Sequence, residues 1–200
     1  SRGLGDVYKR QQPTKEQVDK EQYSVGGSII RIRQNDNGEW KVVQNDPLNR
    51  RITAQTPIPF AWHEPIKGET TAIGTMGNCS GGVTPWKTIL TAEENYQGYY
   101  GETQYTEDGG EIHHPGSSRW ENFNQRPPEH YGWIVEVNPM TGESRKLVGM
   151  GRCCHECATV FEAPDGRIVV YSGDDAADEC LYKFISEKPG DITTGKLYVA

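Results

Sequence analysis

The stretch ATVFEAPDGRIVVYSGDD, Ala158 to Asp175, decides the fold. Pro164-Asp165-Gly166 supplies turn chemistry, because proline fixes φ and glycine permits the left-handed backbone of a tight turn. Val160 and Phe161 precede it, and Ile168 to Tyr171 follow it. These β-branched and aromatic residues favour extended chain. Strand, turn and strand together read as a hairpin.

The same device recurs outward from this point. Ile30, Ile32 and Trp40, Val42 flank Asn35-Asp36-Asn37-Gly38. Trp133, Val135 and Val137 lead into NPMTGE, and Lys146 to Val148 follow. A further strand reads from ECLYKFIS, Glu179 to Ser186. Hairpins are thus expected near 29–43, 133–148, 158–171 and 180–199. Their rhythm predicts an all-β chain, part of a β-propeller with loop insertions, with a β-sandwich as the alternative. Lys15 to Tyr23 reads as a loop or one helical turn, and 45–60, with three prolines, as a loop with a short extended run. Tyr96 to Trp120 lacks a clear period and is expected as a surface excursion.

Composition agrees with short strands. The chain has 200 residues, suited to one domain or part of a larger one, and only 34% are hydrophobic against 23 glycines and 12 prolines. Five tryptophans and ten tyrosines argue against disorder. A net charge of −7 without a basic run argues against a nucleic-acid footprint. No apolar run approaches the ~20 residues of a membrane helix. Ser1 to Gln11 resembles adaptor-derived sequence and is set aside as a non-native tail. Residues 12–200 read as the N-terminal or central part of a domain truncated at both ends.

Chemistry concentrates in three places. GTMGNCSGGVTPWKTILTAEENY, Gly74 to Tyr96, places Cys79 beside Gly81-Gly82, then Glu93-Glu94 one strand later. A lone cysteine is commonly a small buried apolar residue, but a thiolate also binds soft or borderline metals. Adjacent glutamates on a strand point to opposite sides, so at most one faces a common site. GRCCHECATV holds Cys153, Cys154, His155, Glu156 and Cys157. A structural zinc needs two further ligands. A redox CxxC expects a helix start. A disulfide among Cys153, Cys154, Cys157 and Cys180, or a catalytic carboxylate at Glu156, fits better. The run Asp174, Asp175, Asp178, Glu179 reads equally as a Ca²⁺-type oxygen cluster or a solvated acidic turn. Arg50, Arg51 and Arg152 read as contacts to an anionic substrate or, more often for surface arginines, as structural.

NDPLNRRITAQTP, GTMGNCSGGVTPWKTILTAEENY, HYGWIVEVNP, GRCCHEC and GDDAADECLYKF, in this order, resemble the PhoX-type alkaline phosphatases. The resemblance implies a β-propeller that hydrolyses small phosphate monoesters through a cluster of iron (Fe3+) and Ca2+. It implies a periplasmic or secreted enzyme exported by a twin-arginine signal, and a monomer. Carried onto this chain, the iron thiolate is Cys79. Metal carboxylates are Glu156, Glu94 with Glu93 close behind, and Asp174, Asp175 and Glu179. Cys79 and Glu156 would carry catalysis. Three features depart from the pattern: Cys153-Cys154 stands where aromatic and basic residues are usual, with Cys157 and Cys180 also atypical; Lys87 stands where glycine is common; and the later blades with their ligands are expected to lie outside this stretch. The alternatives are a calcium-only propeller hydrolase, of lactonase or phosphotriesterase type, and a non-catalytic relative.

Overall fold

The computed structural model describes residues 12–200, and the adaptor-like segment 1–11 lies outside them. The chain opens with helix α1 (Lys15–Ser24). Thr14 accepts the Gln17 N–H, and the Gln17 side chain returns to the Thr14 N–H at 2.8 Å. This capping box satisfies N-terminal donors and extends what the sequence suggested as one turn into a ten-residue helix. Six short strands follow: β1 (Gly27–Ile29), β2 (Ile32–Gln34), β3 (Trp40–Val42), β4 (Arg50–Ile52), β5 (Pro57–Pro59) and β6 (Thr71–Ile73). They pair as β1–β4, β2–β3 and β5–β6.

The first larger sheet contains β7 (Asn78–Val83) and β8 (Ile89–Glu93). An insertion then carries α2 (Gln97–Tyr100) and the hairpin β9 (Glu102–Tyr105)–β10 (Glu111–His114). The sheet resumes with β11 (Ile134–Val137) and β12 (Ser144–Lys146). The second sheet is β13 (Thr159–Glu162), β14 (Arg167–Gly173), β15 (Leu181–Pro189) and β16 (Gly195–Val199). Both are antiparallel, four-stranded and ordered as in the chain: β7-β8-β11-β12 and β13-β14-β15-β16. Two successive meanders of this kind are propeller blades, and all four expected hairpins are present.

The blades pack through one core. Leu90, Ala92, Ile134 and Leu147 from the first meet Ala158, Ile168, Val170 and Phe184 from the second. Full burial of each large aliphatic or aromatic residue stabilises the contact by about 1.5–3 kcal/mol. The edge strands β7 and β13 pack together near Gly82, where an added Cβ would lie 2.0 Å from the carbonyl oxygen of Ala158, just before β13. At the far end of the first blade, Trp86 Nε1 and Thr88 Oγ1 donate to Glu136 Oε1 at 2.9 and 2.6 Å. That network locks the β7–β8 turn.

The insertion is a surface excursion only in its middle: the β9–β10 hairpin is largely exposed, whereas the two ends of the insertion are anchored inside. Tyr100 and Trp120 are fully buried with Val18 of α1, Met76 and Tyr131. Its aromatic residues form a second core, with Tyr100 stacked on Tyr131 at 5.2 Å.

Candidate metal centre

Four chain segments meet at one end of the two blades. β7 begins where β8 ends, with Asn78 opposite Glu93. The Glu94 N–H donates to the Gly77 carbonyl at 3.0 Å, which directs the chain out of β8. In the second blade, His155 bridges Asp174 just before β13 and just after β14. The Glu156 N–H donates to Gly173 O at 3.1 Å, and the Asp175 N–H to Cys154 O at 3.0 Å. Cys79 and Glu94 therefore lie at the entry of the first strand and the exit of the second in one blade. Glu156 and Asp174-Asp175 occupy the corresponding places in the next.

The side chains respond to this convergence. The Glu94 carboxylate beside Cys79 pushes its thiol above the usual range, and Glu156 adds to the effect. The thiol in turn holds the Glu94 carboxyl below the usual range, assisted by Asn95 and Asp175. Cys79, Glu94, Glu156 and Asp175 thus form one electrostatic group. Asp174 is drawn partly into the loop, where its Oδ1 accepts the Cys154 N–H at 3.2 Å. Asp174 and Glu179 act on Cys153, whose thiol is pushed up to about 12, first by burial and then by these charges.

Glu93 faces away from the group and requires a correction. Its Oε1 lies 2.7 Å from Lys146 Nζ, with both side chains fully buried. Its Oε2 accepts the Gly132 and Trp133 N–H groups at 3.0 and 3.1 Å. Both oxygens are committed internally, so Glu93 does not offer itself to the cluster.

Neighbouring groups are equally committed. The His155 ring pairs with Ser172 Oγ at 2.6 Å and Gly151 O at 3.0 Å. Burial pushes its pKa down, so the imidazole is neutral and both nitrogens are used. Arg152 donates to Tyr131 O and to both Glu102 oxygens. Arg50 and Arg51 are spent largely on backbone carbonyls. These arginines are structural. All five cysteines are free thiols, so the disulfide alternative is not formed.

The donor types fit cations. Among the described residues, no lysine, arginine or histidine lies within ion-pair distance of Glu94, Glu156, Asp174, Asp175 or Glu179. Asn78 Oδ1, one residue from Cys79, is buried without a partner. Carboxylates gathered without compensating charge are relieved by metal. Among the described residues, however, no three such side chains close on one point as a ready-made site.

Comparison with known proteins follows the same direction. No curated protein matches the chain. A solved structure of Pseudomonas fluorescens PhoX, in complex with vanadate, a transition state analogue, is similar over 94% of this chain, at 29% identity and a TM-score of 0.79. The chain spans 39% of the length of that structure. The family described as alkaline phosphatase PhoX matches residues 4–199. Blades, motif order and match span agree, and the chain belongs to the PhoX alkaline phosphatase family.

Proposed function

We propose that this chain contributes to a metal-dependent phosphomonoesterase acting outside the cytoplasm, with iron and calcium as its cofactors. The observation that carries the reading is the gathering of Cys79, Glu94, Glu156 and Asp175 without a lysine or arginine among them. An anionic phosphate ester approaching these carboxylates needs positive charge, and Arg50, Arg51 and Arg152 are engaged elsewhere. The similar Pseudomonas fluorescens PhoX was solved with vanadate, a transition state analogue.

Iron and calcium, when bound, supply the charge that phosphate oxygens require and the Lewis acidity that activates water. Cys79 offers the soft donor, suited to iron. Glu94, Glu156 and Asp175 offer hard oxygens, with Asp174 and Glu179 flanking them. The chain's own part is orientation. The two blade ends hold donors from separate segments in register, and the Gly77–Glu94 hydrogen bond holds Glu94 at the exit of β8. The protein is taken as a monomer acting on small phosphate esters, and residues 12–200 as the N-terminal or central part of a β-propeller domain.

The test uses the chain purified without chelator. Iron, calcium and p-nitrophenyl phosphate hydrolysis are measured for wild type and Cys79→Ala. Iron and calcium in the wild type, with iron and hydrolysis lost in the variant, support the reading. Calcium without iron, and an unaffected variant, move the function to a calcium-only propeller hydrolase.

A further inference from the structure

Glu93 and Lys146 lie beside the candidate centre and outside it. Lys146 Nζ donates to Glu93 Oε1 at 2.7 Å and to His130 O at 2.8 Å, and sits 4.5 Å from the Tyr131 ring centroid. The bonds made by Glu93 reach three other segments, at Gly132-Trp133, Lys146 and His155. Its carboxylate binds the amides of Gly132 and Trp133. Its N–H donates to Trp133 O at 3.1 Å. Its carbonyl accepts the His155 N–H at 3.2 Å, across the boundary between blades. Gly132 O in turn accepts the Cys153 N–H at 3.2 Å. Glu94 and Glu156 are the residues that follow Glu93 and His155.

We propose that the Glu93–Lys146 pair is a positioning element that fixes the exit of β8 and the Cys153–Glu156 segment against each other, so that Glu94 and Glu156 reach the same metals. The inference rests on the metal-dependent reading above. A buried ion pair is a poor device for stability alone, since well-packed neutral residues often replace it without loss. What this pair adds is direction. The carboxylate orients backbone amides of the first blade, and the same residue's carbonyl holds the second. The alternation that turns Glu94 outward then places it beside Cys79.

The experiment uses the full chain carrying Glu93→Gln with Lys146→Met, which removes both charges together. Glu136→Gln, at the far end of the first blade, is the destabilised control. Calcium affinity is measured by calorimetry, and amide hydrogen exchange is followed at Glu94 and His155. The paired variant is expected to melt cooperatively, bind calcium at least ten-fold more weakly, and exchange these two amides at least ten-fold faster. The control is expected to keep wild-type affinity. Wild-type affinity and exchange in the paired variant would overturn the proposal. If wild type itself binds neither iron nor calcium, the metal reading fails while the exchange arm still decides the positioning role. If the paired variant does not fold, exchange in wild type decides. Glu94, His155 and Gly132 amides should open together, and Glu94 or His155 exchanging ten-fold faster than Gly132 would overturn it.

Discussion

Gly82 of the first blade packs directly against Ala158 of the second: a Cβ built on Gly82 would stand 2.0 Å from the Ala158 carbonyl oxygen. The second glycine of the Cys79 motif therefore serves blade packing, one strand length from the thiol. Gly82→Ala forces the edge strands β7 and β13 apart. Overpacking of this kind costs about 1–3 kcal/mol. Chemical denaturation should show that loss with an unchanged m-value, and stability equal to wild type would mean that the blades separate freely at this point.

Lys87 adopts φ of 71° in the turn after Trp86. A left-handed conformation costs an L-residue roughly 1–2 kcal/mol, and glycine avoids it. Glycine also gains freedom in the unfolded chain, which returns part of that difference. Lys87→Gly is expected to raise stability by about 0.5–1 kcal/mol. A thermal midpoint at or below that of wild type would contradict the strain.

Much of this architecture was legible because hairpins are local. Asn37-Gly38 and Asp165-Gly166 announce their turns, and both hairpins form where expected. The α1 helix was legible too, in the Thr14–Gln17 capping box, a signal easily outweighed by the polar composition around it. The insertion misleads because its burial is non-local: Trp120 and Tyr100 have no periodic neighbours and pack against Val18 and Tyr131. The site divides in the same way. Strand alternation separates Glu93 from Glu94, as the sequence implies. Lys146, 53 residues from its Glu93 partner, has no local signal for burial, since it reads as one more charged residue of a hairpin. The equivalence of the Cys79 and Glu156 entries appears only when the ladders are drawn.

Two buried histidines weaken the fold toward acid pH. Burial pushes His130 down, and Lys146 pushes it further, against the Ile66 carbonyl. Burial likewise lowers His155. The folded chain holds both rings neutral, while the unfolded chain protonates them below about pH 6.5. Their contribution is present above that pH and is lost as pH falls through the window down to the folded values. Each histidine adds a slope of about 1.4 kcal/mol per pH unit there. Unfolding free energies at pH 7.5, 6.5 and 5.5 should fall only below 6.5. His130→Gln should reduce the slope, and an equal slope in that variant would exclude His130 as a source.

Cys79 and Cys153 report on metal from within one molecule. Cys79 is exposed at the mouth of the blade ends, whereas Cys153 is partly buried with its thiol pushed up to about 12. Alkylation requires thiolate and access, so at pH 8 iodoacetamide should modify Cys79 well ahead of Cys153 in the metal-free chain. A metal held by Cys79 ties up its sulfur and blocks the reagent. Iron with calcium should slow Cys79 labelling at least ten-fold and leave Cys153 unchanged, and EDTA treatment should restore the original rate. Peptide mapping separates the two sites. Equal protection of both cysteines would indicate general tightening of the fold, and no protection of Cys79 would remove it from the ligand set.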